Sequence, residues 1–205
     1  MICIVDYGVG NVQAFLNLFK RLGVDARRAC TADQLSGAER LVLPGVGHFD
    51  RAMLRLNESG LRPKLDELVL GAQVPVVGVC VGMQMLACQS EEGNMPGLGW
   101  VPGCVKAFAN HPLTAQMPMP HMGWNDLQSK STSKLFSRGF EGGAQFYFLH
   151  SYYYDAEDKG DVAATAQYGV DFDAAVSRGN IHGVQCHPEK SHHWGEQLLK
   201  NFVEL

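Results

Sequence analysis

Apolar residues recur along this chain in two rhythms. In the first half, short unbroken runs alternate with helically spaced ones. Ile2-Cys3-Ile4-Val5 is an apolar run of strand length that stops at the turn Asp6-Tyr7-Gly8-Val9-Gly10. Asn11 then offers a helix N-cap, Val12, Phe15, Phe19 and Leu22 share one helical face, and Gly23 suits the residue after a helix end. Val24–Ala29 predicts a second strand. Leu41-Val42-Leu43 predicts a third, ended by Pro44-Gly45-Val46-Gly47. Helical spacing returns around Ala52–Leu56 and Leu61–Leu70. Val76–Val79 then reads as a fourth strand, running through Cys80 into a helix from Met83 to about Gln89. Strands alternating with helices predict a parallel sheet covered by helices.

The second half changes character. Residues 93–120 are rich in Pro and Gly. Beyond them Gln145–Leu149, Val162–Gln167, Ala174–Ser177 and Ile181–Gln185 read as strands separated by short turns, and Glu196–Val203 as a last helix. Strands in direct succession predict antiparallel additions. No repeat, low-complexity tract or linker divides the 205 residues. The expectation is one α/β domain over 1–205, with a central, mostly parallel sheet, helices around it and antiparallel strands added later.

Composition narrows the function. With 46% hydrophobic and 19% charged residues the chain is neither a disordered tail nor a coiled coil. A domain of this size buries roughly 70% of its unfolded surface and needs no metal or disulfide staple. Seventeen Lys and Arg against 21 Asp and Glu leave a formal charge of −4, so no basic field exists to hold a nucleic acid. None of the six cysteines forms a Cys-x-x-Cys pair or a zinc spacing, and no metal site is expected. The N-terminus lacks a basic stretch before its apolar residues, and no apolar run approaches the roughly 18 residues of a membrane span. The expected setting is the cytoplasm, with reduced thiols. Gly8-Val9-Gly10 suggests a dinucleotide finger, but Gln13 stands where the third glycine belongs and no acidic residue ends the second strand. No cofactor is expected.

The sharpest chemical signal is Gly78-Val79-Cys80-Val81-Gly82, which follows a strand and opens a helix. It has the pattern of a nucleophile elbow, with Cys in place of Ser. The glycines permit a tight turn, and a helix N-terminus favours the thiolate. A Cys nucleophile needs a base and a group that orients it. Gly183-Val184-Gln185-Cys186-His187-Pro188-Glu189 supplies both: His187 at a strand end and Glu189 two residues on. Among the other histidines, His48, His121 and His150 are rivals, and only His48 has a carboxylate at the same offset, Asp50. The Gly-rich turn after the third strand can offer a second oxyanion donor beside the Val81 N–H.

Pro44-Gly45-Val46-Gly47, Gly78-Val79-Cys80-Val81-Gly82-Met83-Gln84 and His187-Pro188-Glu189 resemble the three signatures of class I glutamine amidotransferases. Within that family the chain is most similar to the branch of glutaminase subunits of imidazole glycerol phosphate synthase. That likeness rests on Asp6-Tyr7-Gly8-x-Gly10-Asn11, Ser90-Glu91-Glu92-Gly93, Pro120-His121-Met122-Gly123-Trp124-Asn125, Phe146-Tyr147-Phe148-Leu149-His150-Ser151-Tyr152 and His187-Pro188-Glu189-Lys190-Ser191. These motifs run in order along the whole chain.

The resemblance implies that Cys80 attacks the carboxamide of L-glutamine, that His187 protonates the departing ammonia and that Glu189 orients His187. It implies oxyanion and substrate contacts from Val46, Gly47, Val81, Gln84, Ser151 and Tyr152, and a partner-facing role for Trp124, Tyr147 and Lys190. It further implies a heterodimer with a (β/α)8-barrel cyclase subunit. That partner would use the ammonia to make imidazole glycerol phosphate and an aminoimidazole carboxamide nucleotide in histidine biosynthesis. Two alternatives share the fold: a glutaminase serving an amidotransferase of surface-sugar biosynthesis, and a catalytically silent scaffold subunit. The sequence departs from the family pattern at Cys186, where Phe is usual, and at Val81, where Leu is usual. The run Ser191-His192-His193-Trp194 is left without a role.

Overall fold

The computed structural model describes residues 1–205. The first half runs β1 (Ile2–Val5), α1 (Val12–Arg21), β2 (Ala26–Ala29), α2 (Ala32–Leu35), β3 (Arg40–Gly45), α3 (Phe49–Glu58), α4 (Arg62–Asp66), β4 (Val76–Cys80) and α5 (Val81–Gln84). A wide helical turn over Glu67–Gly71 continues α4. The second half runs β5 (Gln89–Ser90), β6 (Gly103–Ala107), β7 (His121–Ser129), β8 (Ala144–His150), β9 (Tyr152–Ala156), β10 (Val162–Tyr168), β11 (Val170–Arg178), β12 (Ile181–Val184) and α6 (His192–Val203).

The main sheet has the order β2-β1-β3-β4-β12-β11-β10-β7-β8. From β2 to β12 every neighbouring pair is parallel. From β12 onward every pair is antiparallel. β1, β4 and β12 are buried along their whole length, which explains the unbroken apolar runs of β1 and β4, while β12 buries His182 among its apolar residues. The order sets β4 between β3 and β12, so three loops leave the carboxyl ends of three adjacent parallel strands. Ligands of open α/β sheets bind at that edge.

The structure corrects several expected elements. The helix expected from Met83 to about Gln89 is a single turn. After Gln84 the backbone turns to a neighbouring segment for its hydrogen bonds: Cys88 N donates to Gly103 O at 3.0 Å, Leu98 N to Met85 O at 2.8 Å and Val101 N to Leu86 O at 3.1 Å. Gln89 and Ser90 then pair with Cys104 and Val105 as β5. β2 starts at Ala26 because Val24 N closes α1 on Phe19 O at 3.0 Å. β6, β7 and β9 were not expected, and α6 begins four residues before Glu196.

Candidate active site

Cys80 ends β4 at φ 55° and ψ −114°, a strained conformation for a residue with a side chain. The chain must reverse within one residue there, from strand to helix. The flanking glycines are required by contact. A Cβ on Gly78 would stand 2.5 Å from Gly82 O, and a Cβ on Gly82 would stand 1.9 Å from Leu43 O in β3. Two bare backbones therefore cross where the elbow packs on β3. Val81 is the first residue of α5, and its N–H has no carbonyl partner within the helix.

His187 lies three residues beyond β12, whose Val184 pairs with Val79. Its backbone is fixed from two sides: its N–H donates to Tyr147 O at 2.8 Å, and its carbonyl accepts from Ser191 Oγ at 2.6 Å. Ser191 Oγ also accepts from Tyr147 N at 3.0 Å, so one buried hydroxyl ties this turn to β8. The ring's Nδ1 donates to Glu189 Oε1 at 2.8 Å. That bond leaves Nε2 for Cys80, which lines the same pocket. Burial alone would lower the pKa of His187. Hydrogen bonds to Cys80 and Glu189 and their negative charges overcome it and raise the value to about 10. The imidazole carries a proton at neutral pH, and that proton is available to a leaving amine.

A pocket of about 400 Å³ opens on Cys80 and His187. Val46, Gly47, Val81, Gln84, Ser151 and Tyr152, expected as oxyanion or substrate contacts, line it, and so does Lys190, which was expected to face a partner. Glu189 stands behind His187 rather than in the pocket. Trp124 and Tyr147 lie outside it, as a cross-strand pair on the outer face of β7 and β8 with ring centroids 6.3 Å apart. The Lys190 ammonium sits 5.6 Å over the Tyr147 ring and so joins that face to the pocket.

Neither Glu92 nor Gln185 had a role in the sequence analysis. Glu92 is the one carboxylate lining the pocket, and its Oε2 accepts from Phe49 N at 2.7 Å. The only signal for it was its place in Ser90-Glu91-Glu92-Gly93. Gln185 is fully buried and donates from Nε2 to Cys80 Sγ at 3.9 Å. The rival bases have other duties. His48 caps α3, accepting at Nδ1 from Asp50 N at 3.2 Å. His121 and His150 are buried and bonded to each other at 2.9 Å. Burial pushes His121 down to about 4. Burial, and next the charge of His121, push His150 down to about 3. Both are neutral. No cluster of three or more His, Cys, Asp or Glu side chains could hold a metal ion.

A Cys on an elbow, a protonated His oriented by a carboxylate and a substrate-sized pocket together suit acyl transfer from a carboxamide. The model of the class I glutamine amidotransferase family matches residues 3–205, and the chain belongs to that family. It is 55% identical to the imidazole glycerol phosphate synthase subunit HisH of Bdellovibrio bacteriovorus, with both chains covered in full. It is 48% identical to the subunit of the same name from Leptospira interrogans, again over all of both chains. Among solved structures, a glutamine amidotransferase superposes with a TM-score of 0.77 at 20% identity, covering 99% of this chain and 97% of the other. A chain of PurLQS from Thermotoga maritima superposes at 0.75 with 19% identity, covering 99% and 97%. At those identities the two structures establish the α/β fold alone.

Proposed function

We propose that this chain is the glutaminase subunit of an imidazole glycerol phosphate synthase, releasing ammonia from glutamine for a cyclase subunit of histidine biosynthesis. The observation that carries the reading is full-length identity of 48–55% to subunits of that name, in a chain whose Cys80, His187 and Glu189 meet at adjacent strand ends.

The Cys80 thiolate attacks the carboxamide carbon of glutamine, forming a C–S bond and a tetrahedral oxyanion. N–H groups of Val81 and of the Val46-Gly47 turn receive the oxyanion. His187 gives its proton to the amide nitrogen, the C–N bond breaks and ammonia leaves. Water then adds to the thioester, giving up its proton to His187. The C–S bond breaks, and glutamate and the thiolate are released. Glu189 holds Nδ1 so that Nε2 keeps facing the sulfur. Glu92 faces the substrate's α-ammonium, and Gln84, Ser151 and Tyr152 hold the rest of it. Ammonia released into water is lost as ammonium, so an acceptor site has to adjoin the pocket. We assign that role to a (β/α)8-barrel cyclase bound as a heterodimer over the Trp124, Tyr147 and Lys190 face.

The test has two parts. A glutamine-analogue diazo-ketone should alkylate Cys80 in the wild-type chain and leave Cys80→Ala unlabelled. Glutamate release should rise steeply when the cyclase and its ribulosyl nucleotide are added. An unlabelled Cys80 would overturn the chemistry. A labelled Cys80 with no response to the cyclase would move the acceptor to another pathway.

A further inference from the structure

Gln185 follows β12 at the point where the strand passes the nucleophile. Its backbone N–H donates to Ala174 O in β11 at 2.8 Å, and its side chain has no exposed surface. Its amide lies between Cys80 and Gln84: Nε2 is 3.9 Å from Cys80 Sγ, and Oε1 is 3.0 Å from Gln84 Nε2. The neighbours fix which end is which. Gln84 Nε2 is 3.1 Å from the carbonyl of Tyr152, a group that can only accept. The nitrogen of Gln84 therefore belongs at that end, the Gln185 atom facing it must be an acceptor, and the Gln185 N–H is turned to the sulfur.

The same logic runs on to a second anchor. The Tyr152 carbonyl also accepts from His150 Nδ1 at 2.8 Å. His150 Nε2 then accepts from His121 Nδ1 at 2.9 Å, and His121 Nε2 accepts from Asn125 Nδ2 at 3.1 Å. Asn125 is itself fixed by backbone groups of unambiguous role: Oδ1 accepts from Asp126 N at 2.8 Å, and Nδ2 donates to Gln167 O at 2.8 Å. Reasoning from either end gives every group one role, and no amide or ring has to be turned.

We infer that Gln185 is a positioning residue of the glutaminase reaction. It holds the Cys80 sulfur by an N–H and fixes the Gln84 amide so that only its oxygen is offered to the pocket. Both hydrogens of Gln84 Nε2 are spent on Gln185 and Tyr152, so Gln84 meets the substrate as an acceptor. An acceptor there favours an ammonium or a carboxamide N–H and opposes a carboxylate, so the arrangement binds glutamine in preference to the product glutamate. Holding the sulfur affects chemistry, and fixing Gln84 affects binding. Substitutions at Gln185 separate the two.

This inference rests on the glutaminase reading, and the experiment keeps the two apart. Full-length wild type, Gln185→Glu and Gln185→Met would be followed by the rate of Cys80 alkylation with iodoacetamide against pH. Inactivation by the diazo-ketone would be followed with and without glutamate as competitor. Gln185→Glu keeps an acceptor for Gln84 and removes the N–H from the sulfur. The midpoint of its alkylation profile should rise by at least one pH unit, with the diazo-ketone binding constant within threefold of wild type. Gln185→Met removes both contacts and is neutral, so it serves if the buried carboxylate prevents folding. It should shift the same midpoint and weaken diazo-ketone binding at least tenfold, with glutamate competing relatively better. A role limited to folding would lower thermal midpoints and leave the alkylation midpoint where it is. Folded variants with the wild-type midpoint and wild-type binding would overturn the role of Gln185. A wild-type Cys80 that the diazo-ketone fails to label would overturn the glutaminase reading instead.

Discussion

The proton balance of the site is decided between two side chains. His187 sits in a buried place that alone would keep it neutral, and it is held protonated by what it touches. Removing the charge of Glu189 while keeping an acceptor should expose that dependence. In Glu189→Gln the glutaminase rate should fall between about tenfold and a hundredfold, the scale of a weakened general acid. Cys80 alkylation should move to higher pH, because the imidazolium beside the sulfur is then less stable. An unchanged pH profile would mean that Glu189 does not tune His187. The His-Pro-Glu spacing was legible in sequence because Pro188 and the short offset confine Glu189 near the ring. Gln185 was not legible, since its role depends on β4 lying beside β12, a neighbour relation 105 residues away. Cys186, which departs from the family's Phe, is fully buried, and burial, then the charges of Glu189 and Cys80, push its thiol well up. It stays protonated and acts as a small core residue.

At the scale of elements, the elbow works because three backbones approach without side chains between them. Gly82→Ala would set a methyl 1.9 Å from Leu43 O, where neither β3 nor α5 can give way without moving Cys80. The expected loss is more than about 3 kcal/mol of stability by urea unfolding, with glutamate release abolished in whatever fraction folds. A change under about 1 kcal/mol would mean that α5 is free to slide. Gly195 repeats the device within α6: a Cβ there would lie 1.8 Å from Pro188 O, so the helix packs directly on the turn carrying His187 and Glu189. The inner parallel strands β1, β3 and β4 could be read from sequence because burial on both faces writes an apolar run, as in Val76–Cys80. β7 and β9 could not. In His121–Ser129 polar, aromatic and glycine positions follow one another, and what makes them a strand is pairing with Ala144–His150. The short α5 was hidden for the same reason, because residues 97–103 take the hydrogen bonds that a longer helix would have used.

At the scale of the whole molecule, the parallel half of the sheet supplies the nucleophile and the antiparallel half supplies the surface next to it. Titration links the two halves with opposite signs. His121, His150 and His182 are buried, with values near 4, 3 and 4, below the roughly 6.5 of an unfolded chain. The unfolded state binds more protons there, so their contribution is present above pH 6.5 and is lost as pH falls toward 4. His187, raised to about 10, contributes stability fully present below pH 6.5 and lost as pH rises through about 10. Urea midpoints should therefore fall on both sides of neutrality, and His187→Gln should lessen the alkaline loss and leave the acid one, the rest of the alkaline loss coming from buried Cys186, Tyr7 and Tyr154, whose pKa values burial also raises. The outer face of β7 and β8 carries the other expectation. Met122 is 65% and Trp124 47% exposed, large apolar groups that a chain standing alone gains nothing by presenting. Trp124 is steadied on both sides, edge-on to Tyr147 and stacked on His192 with centroids 5.4 Å apart and planes 8° apart. A rigid, exposed aromatic is a usual anchor of a protein interface, and truncating one costs about 2 kcal/mol or more. Trp124→Ala should therefore weaken binding of the cyclase about thirtyfold. It should leave the Cys80 alkylation profile of the isolated chain unchanged, because Trp124 lies outside the pocket. Equal affinity in a titration of variant and wild type would move the partner to another face. A changed alkylation profile would mean that the aromatic pair also supports the site from behind.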